Sequence, residues 1–180
     1  QPIAVRDLGE GARPRHRLIA GFCRWQAHKR LGWAKIEAKI FSGVDDARAG
    51  ELALIENLTR RALNPMEEAQ GFCELRDRYG YTAEKIAERT GKAEGTIKNA
   101  LRLTALPPVV ADLLRSGQLP VGSARVLASA RWSSRPRHCA CLAGWIVEKR
   151  VPAAEVEQLA TSLPAAAALA LQLGDVAVEI

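Results

Sequence analysis

The sequence has little that would staple, anchor or export it. Its four cysteines, Cys23, Cys73, Cys139 and Cys141, form no CxxC pair of the kind that holds zinc or runs thiol exchange. A chain of 180 residues does not need disulfides to fold, so reduced thiols are the expectation. No run approaches the roughly 20 apolar residues of a membrane span. The opening Gln1-Pro2-Ile3 lacks the basic-then-apolar order of a signal peptide. An initiator methionine is missing as well, and the chain reads as a fragment with something absent upstream. There is no internal repeat.

What is present is a core and a charge bias. A hydrophobic content of 48% is enough for one or two modest domains and excludes a disordered tail. The net charge of +6 is concentrated at the front: residues 1–62 carry 12 Lys/Arg against 7 Asp/Glu, residues 63–130 carry 9 against 8, and the remainder is balanced at 5 against 5. Such a bias favours a polyanionic partner, nucleic acid or nucleotide.

Ile3-Ala4-Val5 and Leu18-Ile19-Ala20 read as two short strands joined by a basic Gly/Pro loop. Phe22 to Leu31 then reads as an amphipathic helix ended by Gly32. Lys35 to Phe41 alternates strictly, with Ile36, Ala38 and Ile40 on one face, as a half-solvated strand does. From Asp45 the period is helical. Leu52, Ile55 and Leu58 supply a buried stripe, Glu56, Asn57, Arg60 and Arg61 fall off it, and the helix should end near Arg61. Asn64-Pro65-Met66-Glu67 is a helix start: Asn64 caps, Pro65 suits the first turn and Glu67 reaches back to the cap N–H. That helix runs through Tyr79 to Gly80.

Tyr81 to Leu106 has the pattern of a helix-turn-helix. Thr82 caps a helix carrying Ile86 and Ala87, Gly91 supplies the tight turn, and a second helix turns Ile97, Ala100 and Leu101 inward. Its outer face offers Glu94, Lys98, Asn99 and Arg102 to a DNA major groove. Four more helices are expected over 109–116, 121–130, 137–149 and 152–163. Residues 165–173 read as linker or helix, and 175–180 as the start of a strand. The expected architecture is α+β and predominantly helical, with an α/β lobe over 1–62, a helical DNA-binding domain over 63–164 with its helix-turn-helix at 82–104, and a trailing segment over 165–180.

With these stretches in order, QPIAVR, LIAGFCRWQAHKRLG, LIENLTRRALNPMEEA, YTAEKIAERTGKAEGTIKNALRLTALP and LLRSGQLPVGSARVLA, the chain resembles the ParB family of plasmid and chromosome partition proteins over nearly its whole length. The resemblance implies a DNA-binding protein that recognises a centromere-like site and binds CTP with Mg²⁺ in its N-terminal lobe. In the family, two protomers close into a dimeric clamp on DNA. It implies nucleotide contacts at Gly21, Phe22, Cys23, Arg24, Glu56, Asn57 and Arg60, with Glu56 and Asn57 as oxygen ligands for the metal. It implies DNA contacts at Lys92, Glu94, Gly95, Thr96, Lys98, Asn99, Arg102 and, in the VGSAR segment, Arg125. A Walker-type partition ATPase is the further partner implied. The implied location is the bacterial cytoplasm, on the nucleoid and off the membrane.

Two departures stand out. Where the family has Gly-Glu-Arg-Arg this chain has Gly21-Phe22-Cys23-Arg24, which removes the carboxylate that would orient an attacking water, so hydrolysis is put in question more than binding. At the start of the recognition helix, Ala93-Glu94-Gly95 replaces a Ser-Arg-Ser type sequence. A cap is lost there, and Glu94 becomes a candidate acceptor for a cytosine N4 amino group. Two other readings remain: a ParB-like regulator or nucleoid protein that uses no nucleotide, and a nuclease or ATPase of the same lobe, which lacks an acidic cluster or histidine pair near Gly21. His138, Cys139 and Cys141 read as core residues before metal ligands, and Trp25, Trp33, Trp132 and Trp145 as core or interface anchors.

Overall fold

The computed structural model describes residues 1–59, 63–129, 132 and 135–161. The chain divides into two compact units, Gln1–Arg61 and Ala62–Ile180.

The first unit is built on a three-stranded sheet in the order β2-β1-β3, with β1 at Ile3–Asp7, β2 at His16–Ala20 and β3 at Ala38–Phe41. β1 runs antiparallel to β2, with Val5 opposite Leu18, and parallel to β3, with Val5 opposite Ile40. The parallel pair needs a crossover. That crossover contains α1, Phe22–Arg30. The third strand is shorter than the alternation from Lys35 implied. Ile40 is exposed, so its strand is held by the β1 ladder without burial of its apolar face.

The helix α2, Asp46–Leu58, is capped by Asp45, whose Oδ1 accepts from the Arg48 N–H at 2.7 Å. Asp46 in its first turn accepts from Arg6 of β1 at 2.5 Å and Arg17 of β2 at 3.1 Å, which pins the helix start to the sheet. The expected stripe is only partly realised: Leu58 is buried, while Leu52 and Ile55 are half-buried. Instead a charged side chain goes inside, Glu51, only 6% exposed. Both its oxygens accept from Arg48 Nη1, at 2.5 and 2.6 Å, so the buried carboxylate does not stand uncompensated.

The second unit is helical: α3 Pro65–Tyr79, α4 Ala83–Thr90, α5 Glu94–Leu103, α6 Pro108–Arg115, α7 Val121–Leu127, α8 Pro136–Lys149 and α9 Ala153–Thr161. The start of α3 forms as its sequence dictates. Asn64 Oδ1 accepts from the Met66 N–H at 2.9 Å, Glu67 Oε2 accepts from the Asn64 N–H at 3.1 Å, and Gly80 closes the helix in the left-handed region. Met66, Ala69, Phe72 and Leu75 face the core, where α3 packs against α5. Ile86, Ile97, Val110, Leu119, Leu127 and Ile146 complete that core with no significant exposure. Gly122 lets α7 lie directly against α9, since a Cβ there would meet the Ala153 Cβ at 2.7 Å. Residues 165–180 lie outside the described residues.

Candidate nucleotide and DNA-binding sites

Gly21 is where β2 turns into α1, and its φ of +96° is a conformation that L side chains rarely adopt. A Cβ there would lie 2.8 Å from Ile3 Cγ2, so the turn needs glycine on two counts. No side chain caps α1, and its first turn contains no acidic residue. Such a helix start presents backbone N–H groups and the positive end of its dipole, the ordinary chemistry for a phosphate. Arg24, the one cation left from the family motif, donates to the carbonyls of Gln1 and Pro2, the latter at 2.6 Å. The two replacements are on the surface: Phe22 is 58% exposed and Cys23 is exposed. Phe22 lies 5.9 Å from the Trp25 ring and borders an apolar cavity with Val5, Leu18 and Ile40. Trp25 and Trp33 are exposed and are not core anchors.

Glu56 and Asn57 lie at the end of α2, Glu56 half-buried and Asn57 exposed. The Glu56 carbonyl accepts from the Thr59 hydroxyl at 2.7 Å, which turns the chain out of the helix. Together they offer a carboxylate and a carboxamide, oxygen donors of the type that Mg²⁺ takes. Among the described residues no three His, Cys, Asp or Glu side chains form a metal cluster, so phosphate or water oxygens would have to complete a shell here. Arg60, expected beside them, lies outside the described residues.

The helix-turn-helix is formed by α4 and α5. Thr82 caps α4 by accepting from the Lys85 N–H at 3.2 Å, and Gly91 ends it with φ +71°. Ile97 and Ala100 are buried as expected. The third inward residue is Leu103 and not Leu101, because α5 continues far enough to bring Leu103 against the core. Ala93 gives α5 no side-chain cap. Glu94, Gly95, Thr96, Lys98 and Arg102 are exposed on the outer face, with Asn99 half-buried beside them. Nothing lies within 4 Å of where a Gly95 Cβ would be, so that glycine leaves an open surface.

The cations of this face are not equivalent. Lys98 Nζ is 2.7 Å from Glu94 Oε1, and that hydrogen bond raises the ammonium pKa above its usual value. Lys92 Nζ is 2.5 Å from Glu68 Oε1 on α3, a half-buried pair that ties the turn down. Arg102 joins Arg125 of α7 in lining a cavity of about 620 Å³, together with Asn99, Ser129, Trp132 and Glu157. Trp132 is the participant that sequence reasoning missed. Its signal was available in principle, since a buried indole N–H requires an acceptor. His138, Cys139 and Cys141 belong to the same face of α8, and burial pushes the Cys139 thiol up to about 11.

Comparison with known proteins bears on both units. A ParB N-terminal domain profile matches residues 1–58, and a ParB HTH domain profile matches residues 61–165. The chain is 40% identical over 159 residues to the chromosome-partitioning protein ParB of Myxococcus xanthus, covering 88% of this chain and 51% of that protein. It is 40% identical over 131 residues to the nucleoid occlusion protein of Geobacillus kaustophilus, covering 73% of this chain and 45% of that one. Among solved structures, the C-terminally truncated ParB of Caulobacter crescentus complexed to the centromeric parS site superposes with a TM-score of 0.77 at 35% identity, over 89% of this chain and 82% of that one. The chain spans about half the length of the curated relatives it matches.

Proposed function

Because this chain belongs to the ParB family, whose two domain profiles together span most of its length, we propose that it is a partition protein that binds a centromere-like site on double-stranded DNA through α4 and α5. The observation that carries the reading is the outer face of α5. Glu94, Gly95, Thr96, Lys98 and Arg102 stand exposed there on a helix whose opposite side is buried through Ile97, Ala100 and Leu103. A helix fixed on one side and polar on the other is what a major groove accepts. The α3 cap and the Lys92–Glu68 pair support its orientation.

The proposal extends to CTP with Mg²⁺ in the first unit. The uncapped start of α1 and the Gly21 turn suit the phosphates, and Glu56 and Asn57 suit the metal, which would neutralise phosphate charge. Phe22 and Cys23 provide no carboxylate to activate water, so the reading is of binding. Nucleotide binding would bring two copies together as a clamp on DNA, in the cytoplasm and on the nucleoid, with a Walker-type partition ATPase as partner. Among the described residues no helix is long and apolar enough to cross a membrane.

The DNA reading is tested by anisotropy titration of a duplex carrying a centromere-like site. Lys98→Ala and Arg102→Ala should weaken binding and flatten its salt dependence. An unchanged salt slope in both variants would remove α5 from the DNA. The nucleotide reading is tested by calorimetry with CTP, ATP and GTP in the presence of Mg²⁺. The absence of heat with all three at millimolar concentration would leave a DNA-binding regulator that uses no nucleotide.

A further inference from the structure

The cavity lined by Arg102, Arg125, Asn99, Ser129, Trp132 and Glu157 lies where α5, α7 and α9 meet, next to the face proposed for the major groove. Trp132 is only 4% exposed, yet its indole N–H has no hydrogen-bond partner. A buried donor left in that state costs roughly 1–3 kcal/mol, and natural folds leave few of them. Two guanidinium groups border the same space, and the single carboxylate in the wall, Glu157, is outnumbered by them. What the cavity lacks is an anionic oxygen.

We propose that this cavity is a phosphate subsite, with the Trp132 indole N–H donating to a backbone phosphate of the bound DNA while Arg102 and Arg125 supply its counter-charge. The inference rests on the DNA-binding reading and adds to it a donor that carries no charge and reads no base. Arg102 is on the recognition helix and Arg125 on α7, so one phosphate held by both would fix the depth and register of α5. A contact of this kind positions the protein without carrying sequence information. It also explains why a tryptophan is buried where a phenylalanine would fill the same space at no polar cost.

The test uses the whole chain and Trp132→Phe, which keeps the ring bulk and removes only the donor. Folding is checked by circular dichroism and thermal unfolding. The variant should lose about five- to tenfold in DNA affinity, by the same factor on a centromere-like duplex and on a random one, with its salt slope unchanged because no charge is removed. In ¹⁵N-labelled protein the indole resonance that Trp132→Phe deletes should move on saturation with duplex. Inorganic phosphate and CTP with Mg²⁺, titrated separately, should move it only at far higher concentration. Unchanged affinity in the variant, or an indole resonance that stays put on DNA, overturns the proposal. A resonance that responds to free phosphate or CTP before DNA overturns the backbone source. If Trp132→Phe is neutral while Lys98→Ala still weakens binding, the subsite fails and the DNA-binding reading stands.

Discussion

Glu94 and Lys98 form an ion pair 2.7 Å long, one turn apart on the outer face of α5, so the carboxylate that departs from the family pattern is already spent on the nearest cation. Their order, acid before base at i and i+4, is the favourable one on a helix. The pair is exposed and contributes little to stability. Its consequence is electrostatic: this end of α5 presents no net charge to a phosphate backbone until the pair opens.

Glu94→Gln should therefore strengthen binding to a random duplex, by a few-fold at low salt, and steepen the dependence of log K on log salt by roughly one ion, as expected when a cation is freed. Salt-titrated anisotropy measures both. On a duplex in which a cytosine is read by Glu94, the same change should cost affinity, which turns a gain on random DNA into a loss of discrimination. Weaker binding to random DNA would refute the pairing as a restraint.

Asn64→Ala should destabilise the second unit by about 1–2 kcal/mol, read from urea unfolding. It removes the acceptor for the Met66 N–H and the Asn64 Nδ2 bond to the Arg115 carbonyl, 2.8 Å long. Asn64→Asp keeps the cap and loses the second bond, so it should fall between the two. Equal loss in both variants would assign the effect to the Arg115 contact alone.

Gly21→Ala should destabilise the first unit by about 2 kcal/mol through its left-handed backbone, with the close approach to Ile3 adding to the loss. Thermal unfolding of the variant checks this. The substitution should also abolish any nucleotide heat, since the N–H groups of the first turn of α1 would no longer be presented in the same way. A variant of unchanged melting temperature would show that the turn can relax.

Cys139 gives a pH dependence. Burial raises its thiol to about 11 in the folded protein, above an ordinary cysteine near 8.5. The folded state therefore binds the proton more tightly. Stability is unaffected by this group below about pH 8.5 and falls as pH rises from there to about 11, because the unfolded thiol ionises first. Cys139→Ser should flatten that part of the profile, measured by urea unfolding across pH. In the native protein at neutral pH a thiol reagent should modify the exposed Cys23 well before Cys139.

Much of the fold was legible because local chemistry and tertiary packing agree. Asn64-Pro65 with Glu67, Thr82, Gly80 and Gly91 are signals that act within one turn of chain, and each marks the boundary it promised. Periodicity was less reliable where burial depends on what lies opposite. It assigned an apolar stripe to α2, but Glu51 and its Arg48 partner take the inside. It also extended β3 back to Lys35, because alternation records which side chains share a face and cannot tell whether a neighbouring strand reaches that far.

The site divides the same way. Sequence determined which groups are available: a glycine turn at Gly21, a carboxylate and carboxamide at Glu56-Asn57, and a polar outer face on α5. The residue order within each short motif dictates these, so they needed no distant partner. Tertiary structure alone decided which cations are engaged, pairing Lys92 with Glu68 across 24 residues, and which residues converge, bringing Arg102, Arg125 and Trp132 to one cavity. Those outcomes depend on how helices cross, through contacts such as Gly122 against Ala153, and helix crossing is set by packing between segments that sequence spacing does not encode.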